Sequence, residues 1–118
     1  MMLLDEAVFQ AAKGTASLGN KVYPFGRKPA TATDPYCVWQ VQGGSPENYL
    51  AGRPDIDYVG VQFDVYGTTA ESVRTAAMQL RDKIELKCHI VAWIGESRDD
   101  ATNRYRFTFS ADWWIKRS

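Results

Sequence analysis

Residues 57–84 read DYVGVQFDVYGTTAESVRTAAMQLRDKI, and the periodicity of this stretch changes at Gly67. Before the glycine, Val59, Val61, Phe63 and Val65 fall on one face of a strand, and Tyr58, Gln62, Asp64 and Tyr66 fall on the other, because strand side chains alternate with period two. After it, Val73, Ala77, Leu80 and Ile84 recur at i, i+4, i+7 and i+11, which makes one apolar stripe on a helix. Thr68 stands three residues before Glu71, the spacing of a capping box. Arg74, Arg81 and Lys83 lie off the stripe. A helix with one apolar stripe must bury it, and the apolar face of the preceding strand is the nearest candidate. Burying a side chain such as Leu80 stabilises by about 1.5–3 kcal/mol. The stretch predicts a one-sided sheet covered by a helix.

Upstream, Leu4, Val8, Ala11 and Ala12 recur at helical spacing within residues 2–13. Asp5 and Glu6 sit in the first turn, where carboxylates favour the helix dipole, and Gly14 marks the stop. Residues 15–35 carry the turn markers Gly19, Asn20, Pro24, Gly26, Pro29 and Pro35. They predict a long loop with a short extended piece at Lys21–Tyr23. YCVWQVQ at 36–42 predicts the first main strand. GGSPENYLAGRPDI at 43–56 predicts a second long connection, because its glycines, Pro46 and Pro54 oppose regular structure. The next strand covers 57–66.

Downstream, KCHIVAWIG at 87–95 predicts a third strand and RYRFTFSADWWI at 104–115 a fourth. In the latter, Tyr105, Phe107, Phe109, Ala111, Trp113 and Ile115 face one way, and Arg106, Thr108, Ser110 and Asp112 the other. ESRDDATN between them reads as the polar connection of an antiparallel hairpin. The order α-β-β-α-β-β predicts an α+β domain spanning 1–118: a four-stranded, mainly antiparallel sheet with two helices packed on one face.

The chain has 118 residues, a length that suits one domain. Folding at this size buries roughly 65% of the unfolded chain's surface, enough for one modest core. Fourteen basic and fourteen acidic residues cancel. A nucleic-acid binder normally carries a basic face to offset phosphates, so direct nucleic-acid binding is not expected. No run approaches the ~20 apolar residues of a membrane span. The opening MMLLDEAVFQAAK is too short, and acidic too early, for a signal peptide. The expected compartment is the cytoplasm or an assembly built there. Cys37 and Cys88 lack CxxC spacing and read as reduced, buried thiols.

Catalytic patterns are weak. His89 is the single histidine, and a lone strand histidine is more often structural than catalytic. Asp99 and Asp100 are neighbours in a polar turn, whereas paired catalytic acids need a defined separation across a cleft. No phosphate-binding glycine loop occurs. No metal, cofactor or catalytic residue is expected. The aromatics carry more: Tyr58 and Tyr66 lie on the polar face of 57–66, and Trp114 breaks the polar face of 104–115. Such rings either cover the sheet or meet another subunit, where Tyr and Trp are enriched. Tyr49, Leu50 and Arg53, inside a polar loop, admit the same two readings.

These pieces converge on one resemblance. Val22-Tyr23-Pro24, Pro35-Tyr36 followed by Val38 and Gln40, and Val61-Gln62-Phe63-Asp64-Val65-Tyr66 with Thr69 and Ala70 resemble, in order, segments of the small tail-terminator or tail-completion proteins of long-tailed (siphophage-type) bacteriophages. Arg81 and Ile84 fit the late helix. Asp100, Thr102, Tyr105 and Arg106 resemble the lead into the last strand, and Phe109 and Trp114 its aromatic end. The match runs over roughly residues 3–115. It implies a structural virion protein that is not an enzyme, caps the tail tube as a ring, commonly a hexamer, ends tail elongation and forms the interface for head–tail joining. The implied partners are further copies of itself, the tail tube protein and a head-completion or neck protein. The implied location is the virion tail, with assembly in the host cytoplasm.

The resemblance transfers no contact residues. The residue reading offers Tyr49, Leu50 and Arg53 as a loop reaching a neighbour or the tube. It offers Tyr58, Gln62, Asp64, Tyr66 and Trp114 as a sheet face at a subunit or partner contact. The alternative is a head-proximal neck or connector adaptor, which composition does not separate from a terminator. A small α+β enzyme is the third reading, since fold alone never excludes one.

Overall fold

The computed structural model describes residues 4–46 and 56–116. In chain order the elements are α1 (Leu4–Ala12), β1 (Val22–Pro24), β2 (Tyr36–Pro46), β3 (Ile56–Gly67), α2 (Ala70–Ile84), β4 (His89–Asp99) and β5 (Arg104–Lys116). The strands form one sheet in the order β1-β2-β3-β5-β4.

The alternation around Phe63 decides which face is buried. Val61, Phe63 and Val65 of β3 and Phe107, Phe109 and Ala111 of β5 all point into the core. Phe63 and Phe109 are register partners, and their rings stack at 5.1 Å. The predicted α2 stripe, Val73, Ala77, Leu80 and Ile84, is buried against them together with Ala76. Val8, Ala11 and Ala12 of α1 join the same core, and α1 packs on α2. The α+β class and the placement of the core follow from the sequence pattern.

The expected four-stranded sheet is corrected to five strands, mixed rather than wholly antiparallel. Val22–Pro24 pairs in parallel with Cys37–Trp39. Burial of Val22 and a Cys37 N–H donated to Lys21 O at 2.9 Å hold it there. The expected loop at 15–35 is also pinned by Leu18, which is fully buried. Behind α1, Gly14 turns the chain with φ of +82°, and the Thr15 hydroxyl donates to Ala12 O at 2.7 Å.

The strands are longer than expected. β2 runs on through Gly43–Pro46, opposite Asp57–Gly60, after a bulge between Val41 and Gly43. Glycine and proline weaken a strand by themselves, but β3 supplies a template that local preference does not register. β4 extends to Asp99, and the hairpin turn shrinks to the residues between it and Arg104. Arg98 bonds there to both Asp100 and Asn103.

The helix start is corrected by one residue. Thr69, not Thr68, is the N-cap of α2, and its hydroxyl accepts from the Ser72 N–H at 3.1 Å. Gly67 does more than end β3. A Cβ there would stand 2.9 Å from Val73 Cγ2 and 3.0 Å from Ser72 Oγ, so the strand–helix junction closes only over a bare backbone.

Candidate interaction face

The helices cover one face of the sheet, and the other is built by the polar half of the same alternation. Register sets its rows. Tyr36 lies beside Tyr66, which lies beside Arg106; Val38, Asp64 and Thr108 make the next row, and Gln40, Gln62 and Ser110 the one after. At the far end Tyr58 is paired with Trp114. The structure thus brings Tyr58, Gln62, Asp64, Tyr66 and Trp114 onto one surface, divided into two aromatic ends and a polar middle.

The middle is a closed hydrogen-bond network. Asp64 is only 7% exposed. Its Oδ1 accepts from the Thr108 hydroxyl at 2.6 Å, and the Gln62 amide donates to both carboxylate oxygens, at 3.3 and 3.1 Å. Gln62 Oε1 in turn accepts from Gln42 Nε2 at 2.5 Å. A buried carboxylate needs such donors, since leaving it unsatisfied is costly.

At one end the Tyr36 and Tyr66 rings stack at 5.3 Å. Lys28 lies 5.0 Å over the Tyr36 ring, and Arg104, 5.8 Å from the same ring, is held by Asp34 through a 2.9 Å hydrogen bond. Burial raises the Tyr36 phenol pKa, partly offset by Arg104. Burial also raises that of Tyr66, with the Arg106 hydrogen bond pulling it back. Beside this end is a shallow depression of about 470 Å³, lined by Phe25, Lys28, Asp64, Tyr66 and Arg106 among others. At the opposite end the Tyr58 hydroxyl donates to Asp112 Oδ1 at 2.8 Å, which holds the phenol proton and raises its pKa. Tyr58 lies 5.8 Å from Trp114, whose side chain is 48% exposed.

Residue reasoning missed Tyr36, Thr108, Asp112 and the Asp34–Arg104 pair as parts of this face. Alternation had put Thr108 and Asp112 on the polar side, but their partners depend on strand register, which a single strand's pattern does not contain. Tyr49, Leu50 and Arg53 lie outside the described residues. His89 and Asp99 sit exposed on β4 and Asp100 in its turn; His89 is the register partner of Asp112 and Asp99 that of Arg104. Among the described residues no group of three or more His, Cys, Asp or Glu is placed to hold a metal ion. The face offers ring edges, amides and a few cations.

The class is that of phage tail-completion proteins. A family model described as tail completion protein gp17 matches residues 6–116, and the chain belongs to that family. No curated protein matches it.

Proposed function

We propose that the chain forms a ring, of six copies as the family likeness implies, on the last layer of the tail tube. The ring ends elongation, and its free side receives the head-completion or neck protein. It acts in the virion tail after assembly in the host cytoplasm, and it catalyses no reaction. The observation that carries this reading is the family match, which runs through both helices and all five strands. The outer sheet face supports it, with the Tyr58–Trp114 end as the anchor offered to a partner, since exposed aromatics dominate contact energy at protein interfaces.

Removing the gene from the phage tests the reading. Overlong tails are expected, restored to normal length by the wild-type chain. Normal-length tails beside unjoined heads would assign the chain to the neck instead.

A further inference from the structure

Among the described residues the sheet has two unpaired edges, and they differ in a complementary way. One is β4, whose burial pattern is exposed at nearly every position. Val91, Trp93 and Ile94 on it, and Leu86 just before it, are 52%, 40%, 54% and 82% exposed. Val91 borders the outer face beside Tyr58, Ser110 and Asp112, and Trp93 packs on Phe107 and Phe109 on the helix side, so apolar exposure wraps the edge. The other edge is β2 beyond the short β1, from Gln40 onward, where Val41 is 54% exposed. The charges are opposed too. Residues 21–33, which carry β1 and the turn after it, hold Lys21, Arg27 and Lys28 and no acid. The β4 strand and its turn hold Glu96, Asp99 and Asp100 against Arg98, with Glu96 paired to Arg74 and Asp100 to Arg98 within the chain.

Register puts the two edges at one height. Ile90 lies across β5 and β3 from Val41, through Ala111 and Val61, and Ala92 lies across from Gln40, through Ser110 and Gln62. Val91 therefore stands level with the free edge at Val41, and Trp93–Glu96 level with β1. This match suits a closed ring whose strands run along its axis, because successive copies rotate about that axis without rising along it. Strand direction fits as well. Each neighbouring pair from β2 through β3 and β5 to β4 is antiparallel, so β4 of one copy meets β2 of the next antiparallel.

We infer that the β4 edge of one copy docks on the β1–β2 edge of the next, Val91 toward Val41, Ile94 toward β1 and the turn after β4 toward Lys21 and Lys28. The partner is a second copy of this chain, and the inference rests on the ring reading above. The bulges at Val91 and Ile94 interrupt a plain ladder, so side chains carry much of the contact and stray edge pairing is blunted.

Cysteine pairing tests it. Within one copy Val41 and Val91 are three strand spacings apart, about 14 Å, too far for a disulfide, which needs Cα atoms within about 7 Å. Val91→Cys is combined in one chain with Gln40→Cys, Val41→Cys or Gln42→Cys, and each is oxidised in solution and on purified tail tubes. A non-reducing ladder reaching the full ring is expected from at least one pair, with no ladder from the native cysteines. Val91→Lys is expected to weaken ring formation at least tenfold while leaving the monomer's circular dichroism unchanged. Rings without a ladder from any pair would overturn the edge contact and leave the ring reading standing. Cross-linked dimers from Val91→Cys alone would overturn the head-to-tail arrangement. A chain that stays monomeric both free and on tubes would overturn both readings.

Discussion

Asp64 is a carboxylate held almost out of water on the face turned away from the core, and Thr108 provides its shortest hydrogen bond. Thr108→Val keeps the shape and removes that donor, so it should cost about 1–3 kcal/mol in urea unfolding. In a double-mutant cycle, Thr108→Val should cost much less once Asp64→Leu has removed the acceptor. Gly67 makes a second prediction. Its missing Cβ would press on Val73, so Gly67→Ala should destabilise by about 1–3 kcal/mol, although alanine usually stabilises a position with ordinary backbone angles. Calorimetry would read it as a lowered Tm. Asp64 was legible in the sequence as a polar-face residue and Gly67 as a break. Their burial and close contact were not, because each depends on a segment distant along the chain or folded back over it.

At the scale of elements, the α2 stripe was read correctly from spacing alone, because it sits on a strong 3.6-residue period. Its start was misplaced because Thr68 and Thr69 offer the same hydroxyl, and only the backbone decides which one caps. Thr69→Ala should therefore cost about 0.5–2 kcal/mol of unfolding free energy, whereas Thr68→Ala should stay within about 0.5 kcal/mol. Equal losses from both would contradict the capping geometry. The ends of β2 and β4 were hidden for a different reason. Gly43–Pro46 and Glu96–Asp99 have little strand preference of their own and lie in the ladder because β3 and β5 run alongside them. Ile90 and Trp93 both turn toward the core despite lying three residues apart, and the bulge between Ile90 and Ala92 makes that possible.

For the molecule as a whole, protonation gives a direction. Burial raises the Cys88 thiol to about 12 and pushes Cys37 well above its ordinary value, and Tyr36, Tyr58 and Tyr66 also hold their protons more tightly than usual. The unfolded chain binds fewer of these protons as pH rises, so stability falls with pH. The protection is complete below about 9, where unfolded thiols begin to ionise, and is progressively lost toward 12. Urea unfolding should give a declining midpoint from pH 9 upward. Native Cys88 should react slowly with iodoacetamide at pH 8 and quickly once unfolded, since the thiolate is the nucleophile. The α+β class and core were legible at this scale, and so was an extended piece at Lys21–Tyr23, which overlaps β1; its place in the sheet and its parallel pairing were not, because three residues leave too short a pattern. The strand order has one more consequence, concerning synthesis. The chain lays down β4 at the far edge and then returns with β5 between β4 and β3. Until residues 104–116 leave the ribosome, β3 and β4 have no common neighbour and the sheet is two unjoined pieces. A nascent chain thus cannot hold the two sheet edges at a fixed height until β5 is in place.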